Sequence, residues 1–201
     1  MKIESNYSHT FWGIFWFDLP LAVLLAFIYH NFVKTQLLKN LPKELNQRFV
    51  VVGKLNWNSY FTENWKIIIL SIILGIISHI FWDGFTHETG FFVNMFKEFR
   101  CEVNIFGNEI KVFKILQHLS TLIGGNVIAL TLYNFPIIEE TRCKVNLKYW
   151  LFVLTITFVV VALKILTTEN STKIGNIIVS FISAVILGLI MTPIIMKKDG
   201  S

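Results

Sequence analysis

Five apolar runs, each long enough to cross a lipid bilayer as a helix, dominate this sequence. The runs cover residues 11–33, 65–82, 116–135, 149–166 and 174–196. A hydrocarbon core of about 30 Å needs about 20 residues of helix per crossing, and a helix satisfies its own backbone hydrogen bonds where water is absent. The runs therefore predict an all-α fold, that of a polytopic integral membrane protein whose single transmembrane domain comprises residues 1–201.

The composition agrees with this class and excludes others. Hydrophobic residues make up 54% of the chain and charged residues 15%, against about 25% charged residues in an average soluble domain. A disordered chain and a typical nucleic-acid-binding protein are both excluded, and Cys101 and Cys143 are too few for a disulfide framework. The net charge of +5 is typical of basic loops facing anionic lipid. We therefore expect membrane lipids as partners and no nucleic acid.

The segments between the runs predict shorter elements. Pro42 suits the start of an amphipathic helix after the first run. Between the second and third runs, the aromatic stretch at 90–99 predicts a short interfacial helix. The residues that follow alternate around Gly107 and Asn108, which is typical of a small hairpin.

The orientation follows from the basic residues. With the N-terminus outside, eleven of the 18 Lys and Arg residues fall on the inner side and seven on the outer side. The positive-inside rule therefore predicts an outer N-terminus and a cytoplasmic C-terminus. The first run is longer than the apolar region of a signal peptide and lacks a small-x-small cleavage site, so it predicts a membrane helix.

The richest polar cluster lies at the end of the second run, in the segment SHIFWDGFTHETG at 78–90. An ionisable residue within a span costs about 2.5–3.5 kcal/mol on insertion scales, so such residues point to function. His79, Asp83 and His87 are spaced four residues apart, which places them on one helix face. Imidazole and carboxylate groups at this spacing can share zinc or another divalent ion. The alternative is that Asp83 and Gly84 simply end the helix.

Distance limits how this cluster could work. On a straight helix His79 and His87 lie about 12 Å apart, so both can ligate one ion only if the chain turns at Gly84. Otherwise His87 serves a second ion, or acts as a general base or substrate contact. We predict His79 and Asp83 as metal ligands and His87 as the catalytic base.

Two further histidines approach the same membrane face. His9 precedes the first run and His118 opens the third, and successive runs cross in opposite directions. His9 and His118 are therefore predicted to be further ligands of the same metal ion. His30 lies at the opposite face and is interpreted as an interfacial histidine, whereas Asp18 is either a deeper ligand or a partner for a neighbouring helix.

Small residues form a stripe in the fifth run. Ser180, Ala184 and Gly188 recur every four residues, a pattern that brings helices close together in membranes. The stripe predicts helix packing, and it could also mediate an oligomer.

Several strings of residues resemble one family. They are SHT..G.F.FDLPL at 8–21, LP..L..R at 41–48, G..SHIFWDGFTH..G at 75–90 and K.LQHLST.IG at 114–124. They resemble a bacterial membrane family described as domain of unknown function 4184, and more distantly the metal-dependent hydrolases of the inner membrane. Members usually begin with a further segment that has a Pro-Phe-Thr-x-x-His-Pro-like start and a Pro-Asp pair. We expect this chain to lack that segment, which could supply further ligands in longer relatives.

The cluster and the resemblance together give a functional expectation. A divalent metal ion, with zinc expected, lowers the pKa of bound water toward about 7 and polarises an ester oxygen. We expect a hydrolase that acts at the outer face on a lipid or lipid-linked ester or phosphoester. Two alternatives stay open. One is a non-catalytic scaffold with a structural metal or packed histidines. The other is a transport or proton-relay protein in which Asp18, His79, Asp83 and His118 line a polar path.

Overall fold

The expected helical membrane architecture is confirmed by the computed structural model, which describes residues 11–138, 145–167 and 174–198. Five helices in these ranges are long and apolar enough to cross a membrane, judged by length and composition. The chain is therefore a multi-pass membrane protein. Its elements fall into two compact units, one comprising Met1–Leu24 with Phe61–Phe135 and the other Leu25–Tyr60 with Pro136–Ser201.

The first helix, α1, covers 11–40 and changes its winding twice. The α-helical parts are Phe11–Gly13, Leu19–Ile28 and Lys34–Asn40. The π-helical parts are Ile14–Asp18 and Tyr29–Val33. π-Helical turns are rare and mostly occur as single insertions within α-helices, often at functional sites.

The remaining elements follow in chain order. Helix α2 is Lys43–Gly53, α3 is Trp57–Thr86, and α4 is Phe91–Met95. A 3₁₀ turn at Lys97–Arg100 leads to strands β1, Glu102–Ile105, and β2, Asn108–Lys111. Helices α5, α6 and α7 are Val112–Tyr133, Leu147–Thr167 and Ile174–Lys198.

Helix α3 begins earlier than the run at 65–82 predicts. Its first turns are polar, and the backbone of Asn64 departs from helical geometry with φ −123° and ψ 18°. The helix is therefore kinked just before Trp65, where the apolar sequence starts. Apolar content marks the part that lies in hydrocarbon, whereas the helix itself continues beyond it.

The predicted hairpin is present in the first unit. Its strands pair antiparallel, with Glu102 opposite Lys111 and Ile105 opposite Asn108. The loop lies one residue before the predicted centre, at Phe106 and Gly107, whose φ values are +50° and +83°. Two consecutive positive φ values match the tight turn whose twist suits a two-residue hairpin. Phe106 occupies this conformation although it is not glycine, and its side chain is fully exposed.

Buried polar side chains hold the second unit together. Lys34 is buried, and its Nζ donates to the carbonyl of Leu55 at 2.6 Å, just beyond α2. Asn40 Oδ1 accepts from the backbone N–H of Asn146 at 3.2 Å, and the Asn40 carbonyl accepts from Trp150 Nε1 at 2.8 Å. These bonds connect α1 to α2 and α6, and they satisfy polar groups that burial would otherwise make costly.

Helices α6 and α7 pack through small and polar residues. The buried positions of α7 recur every four residues, at Ser180, Ala184, Gly188 and Thr192, and those of α6 are Tyr149, Val153 and Thr157. A Cβ added to Gly188 would lie 2.9 Å from the carbonyl oxygen of Val153. The predicted packing stripe is thus covered within the chain, and its use in an oligomer stays a prediction.

Gly188→Ala should destabilise the protein. The added methyl group would overlap a backbone carbonyl that cannot rotate away, and overpacking of this kind costs about 1–3 kcal/mol. We expect a lower thermal midpoint in detergent, followed by circular dichroism.

Gly75→Ala is the matched control, because no atom lies within 4 Å of a Cβ added there. Alanine is also favoured over glycine in a helix by about 0.5–1 kcal/mol. This variant should be as stable as the wild type or more so. A Gly188→Ala protein that matched it would contradict the packing.

Candidate functional site

The predicted cluster lies at the C-terminal end of α3, in the first unit. Helix α3 ends at Thr86, and the N–H of His87 still donates to the carbonyl of Asp83 at 3.0 Å. His87 therefore continues the last turn, and the helix runs through Gly84 without bending there. Since the chain does not turn at Gly84, His79 and His87 stay two turns apart along one face.

Asp83 stands between the two histidines. His79 Nε2 lies 3.4 Å from Asp83 Oδ2, and His87 Nδ1 lies 3.5 Å from Asp83 Oδ1. Each carboxylate oxygen thus faces a different imidazole. The side chain of Asp83 is 15% exposed, whereas those of His79 and His87 are 72% and 51% exposed. The carboxylate is shielded, and both imidazoles are open to an incoming ligand or substrate.

These separations restrict the chemistry of the cluster. They exceed the range of about 2.7–3.2 Å for a good N–H···O hydrogen bond. Two ligand atoms that each lie about 2.1 Å from a tetrahedral ion are about 3.4 Å apart. The spacing therefore fits an ion shared by Asp83 and one imidazole. It also fits an imidazole that is oriented by the carboxylate and poised to accept a proton.

The cluster does not by itself supply three ligands to one ion. Across 11–138, 145–167 and 174–198, no group of three or more His, Cys, Asp or Glu side chains is placed to hold a metal ion. His118 is exposed on α5 and does not complete such a group. The nearby hydroxyls of Ser120 and Thr121 both donate to the Gln117 carbonyl at 2.9 Å. His9, the fourth predicted ligand, lies outside the described residues.

The other two polar residues weighed from the sequence also have defined places. Asp18 ends the π-helical segment Ile14–Asp18 and is half-buried. His30 lies in the second unit, where its ring stacks on Trp57 with centroids 4.2 Å apart and planes 1° apart.

A tight turn closes behind the cluster. The N–H of Gly90 donates to the His87 carbonyl at 2.8 Å. A Cβ added to Gly90 would overlap the carbonyl oxygen of Gly84 and lie 2.8 Å from that of Asp83. The φ of Gly90 is −63°, which any residue can adopt, so glycine is needed here for space alone.

Charged residues from later in the chain brace this turn. Arg100 Nη2 donates to the Glu88 carbonyl at 3.2 Å and also to Asn94 Oδ1. Lys111 Nζ donates to Glu88 Oε1 at 3.2 Å, and Asn94 Nδ2 donates to the Thr89 carbonyl at 3.1 Å. The 3₁₀ turn and the hairpin thus hold the segment that positions His87. This bracing is not predictable from the sequence, because isolated charges between spans carry no pairing signal.

An aromatic wall lies beside the cluster. Phe85 stacks on Phe92 with centroids 3.9 Å apart and planes 12° apart, and Trp82 and Phe99 each lie 6.0 Å from Phe85. Phe81 contacts both Phe85 and Phe92 at 5.4 Å. Trp and Tyr side chains are enriched where hydrocarbon meets the headgroups. Trp82 is the member of this wall whose residue type is typical of that region.

Comparison with known proteins gives one match. A family model described as "Domain of unknown function (DUF4184)" matches residues 1–194. The comparisons with curated proteins and with solved structures gave no match.

Gly90→Ala should displace the turn that follows α3 and so disturb the His79–Asp83–His87 cluster. The added methyl group meets two backbone carbonyls, so the turn after α3 must move and carry His87 away from Asp83. We expect a loss of about 1–3 kcal/mol in stability and a shift of the His87 imidazole signals in NMR spectra. Gly125→Ala is the control, since no atom lies within 4 Å of its added Cβ. Unchanged His87 signals in Gly90→Ala would contradict the close approach.

Proposed function

Given that the chain belongs to the DUF4184 family, we propose that it is a membrane-embedded, metal-dependent hydrolase whose site is the His79–Asp83–His87 cluster. The observation that carries the proposal is the division of the Asp83 carboxylate between two imidazoles. One oxygen lies 3.4 Å from His79 and the other 3.5 Å from His87. In this arrangement Asp83 Oδ2 and His79, one helix turn before it, form a metal-holding pair. Asp83 Oδ1 and His87, one helix turn after it, form a proton-accepting pair.

His79 and Asp83 Oδ2 form the metal-holding pair in this proposal. Their spacing fits zinc ligation, and His9 and His118 are the proposed additional ligands. His118 would have to approach the pair when the ion binds, because it completes no ligand group in this structure. A bound divalent ion would supply a low-pKa water and polarise the scissile oxygen. The openness of the His79 ring, 72% exposed, leaves room for such ligands and for substrate.

His87 is the proposed general base. Its Nδ1 faces Asp83 Oδ1 at 3.5 Å and Thr86 Oγ1 at 3.4 Å. When His87 accepts a proton it becomes cationic, and the adjacent carboxylate stabilises that charge. The braced turn at 87–90 limits how far the ring can move, which favours a fixed direction of proton transfer.

The proposed substrate is a lipid or lipid-linked ester or phosphoester. Trp82, within the aromatic wall at Phe81, Trp82, Phe85, Phe92 and Phe99, supports this class, because Trp is enriched at headgroup depth. We further propose that the membrane is a bacterial inner membrane with the N-terminus outside and the C-terminus cytoplasmic. The distribution of the 18 Lys and Arg residues supports this orientation.

A second candidate is a non-catalytic scaffold with a structural metal or packed histidines. It is favoured by one observation, namely that the described residues include no group of three or more His, Cys, Asp or Glu side chains placed to hold one metal ion. A structural zinc site usually has four protein ligands, so this candidate also needs ligands from elsewhere. Metal binding and turnover separate the two candidates.

Substitution of the metal-holding pair should remove bound metal. In His79→Ala and Asp83→Ala, we expect zinc retained by purified protein to fall at least about tenfold, in line with loss of a direct ligand. Because metal binding adds to folding free energy, added zinc should raise the thermal midpoint of these variants less than that of the wild type.

His30→Phe is the matched control for the metal measurement, because it removes an imidazole and keeps a ring to stack on Trp57. It should retain wild-type zinc. An equal zinc response in the wild type, both ligand variants and the control would refute the assignment of His79 and Asp83.

His87→Ala should impair turnover and leave the metal in place. Loss of a general base typically costs about 10²–10⁴ in rate. The assay uses zinc-loaded protein with a panel of phospholipid and lipid-linked phosphate substrates, and zinc content is measured on the same samples. Loss of zinc in His87→Ala would make His87 a ligand. A zinc-loaded wild type that turned over none of the panel would favour the scaffold.

A further inference from the structure

Helices α1 and α7 of the second unit enclose two cavities that follow one another along the same seam. The first, here called the head groove, has a volume of about 790 Å³. Its α1 wall includes Asn31, Thr35 and Gln36, and its α7 wall includes Pro193, Ile194 and Met196. The groove thus offers amide and hydroxyl groups on one side and apolar surface on the other.

The second cavity, here called the tail slot, lies earlier along both helices. Its volume is about 240 Å³, and no polar surface lines it. The α1 wall includes Leu25, Ile28 and Val33, and the α7 wall includes Ile186, Leu189 and Ile190. The lining is therefore apolar in the tail slot, at residues 25–33 of α1 and 186–190 of α7. It becomes mixed in the head groove, at residues 31–36 of α1 and 193–196 of α7.

The π-helical segment Tyr29–Val33 joins the two cavities. Tyr29 and Val33 line the tail slot, whereas Asn31 and Phe32 line the head groove. π-Helical turns are rare and are frequently found at functional sites. Here it presents apolar and polar side chains of one short segment to two consecutive compartments.

We propose that the head groove and tail slot bind one membrane phospholipid. An acyl chain matches the apolar slot, and the side-chain N–H groups of Gln36 with the Thr35 hydroxyl can donate to phosphate and ester oxygens. Asn31 Nδ2 already donates to Asn58 Oδ1 at 3.3 Å. The compartments lie on membrane-spanning helices, so the molecule that reaches them is an amphiphile dissolved in the bilayer. The change in lining places the acyl chain in the tail slot and the headgroup in the head groove.

This lipid is separate from the substrate of the proposed hydrolase. None of the residues that line the two cavities belongs to the His79–Asp83–His87 cluster, and all of them lie in the second unit. The bound lipid is retained and not hydrolysed, so its detection does not depend on activity.

Native mass spectrometry of the full chain in detergent tests the tail slot. Dioleoyl phosphatidylethanolamine is titrated into delipidated protein, and one molecule is expected to bind the wild type with saturation. Ile190→Trp fills the slot and should weaken binding by about tenfold or more, as expected when an apolar chain loses its buried surface. Ile182→Trp, on an exposed position of α7 that lines neither cavity, should bind as the wild type does.

A second pair of variants tests the head groove without altering the slot. Thr35→Val combined with Gln36→Leu removes donors from exposed positions, and binding should weaken by about fivefold or more, the worth of about one hydrogen bond. Thr131→Val is the control on α5, where the hydroxyl bonds only to its own helix at Val127. Circular dichroism checks that each variant folds. If Ile190→Trp fails to fold, the double variant and its Thr131→Val control decide the test.

Glycerophosphoethanolamine, the same headgroup without acyl chains, distinguishes a lipid from a free phosphate compound. It should bind at least about a hundredfold more weakly than the lipid, because it gains nothing from the apolar slot. Equal binding of the two compounds would overturn the proposal. Equal lipid binding by the wild type and all four variants would also overturn it.

Discussion

Hydrocarbon offers no hydrogen-bond partner to a peptide group, and the rest of this structure depends on that constraint. Each crossing segment must be a helix, so the chain is built from five such helices and its other elements lie between them. The apolar faces can meet lipid directly, which is why so many large side chains are exposed. Polar groups within the helices are then costly unless they are paired. The buried amine of Lys34, bonded to the Leu55 carbonyl, shows how the chain meets that requirement.

The polar cluster on α3 follows from the same constraint applied at the end of a helix. Asp83 is shielded, while the imidazoles on either side of it reach outward. The aromatic wall packs beside the helix end, and the braced turn after it holds the segment that positions His87. The two proposals thus place a catalytic site and a lipid groove on one small chain, each built from a short helical segment and its immediate neighbours.

The sequence was sufficient for the spans, the hairpin and the spacing of the cluster. Each of these features depends on local periodicity or on hydrophobicity summed over many residues. Both properties can be read from the sequence without knowing which distant residues meet in the fold. The same information could not reveal the π-helical turns in α1, because no residue type specifies them. Nor could it reveal that Arg100 and Lys111 meet at Glu88, since those contacts depend on how the chain returns after Gly90. The predicted gathering of His118 rested on membrane topology, which assigns a face but no distance.

The π-helical segment Tyr29–Val33 determines the directions in which the later side chains of α1 point around the helix axis. It accommodates one residue more per hydrogen-bonded turn than an α-helix does, and each residue of an α-helix advances the side-chain direction by about 100°. Lys34 and Asn40 reach Leu55, Asn146 and Trp150 in the phase that this extra residue provides. A one-residue deletion in the segment would turn those anchors away from their acceptors while leaving hydropathy unchanged. The length of this segment is therefore under tighter constraint than its composition.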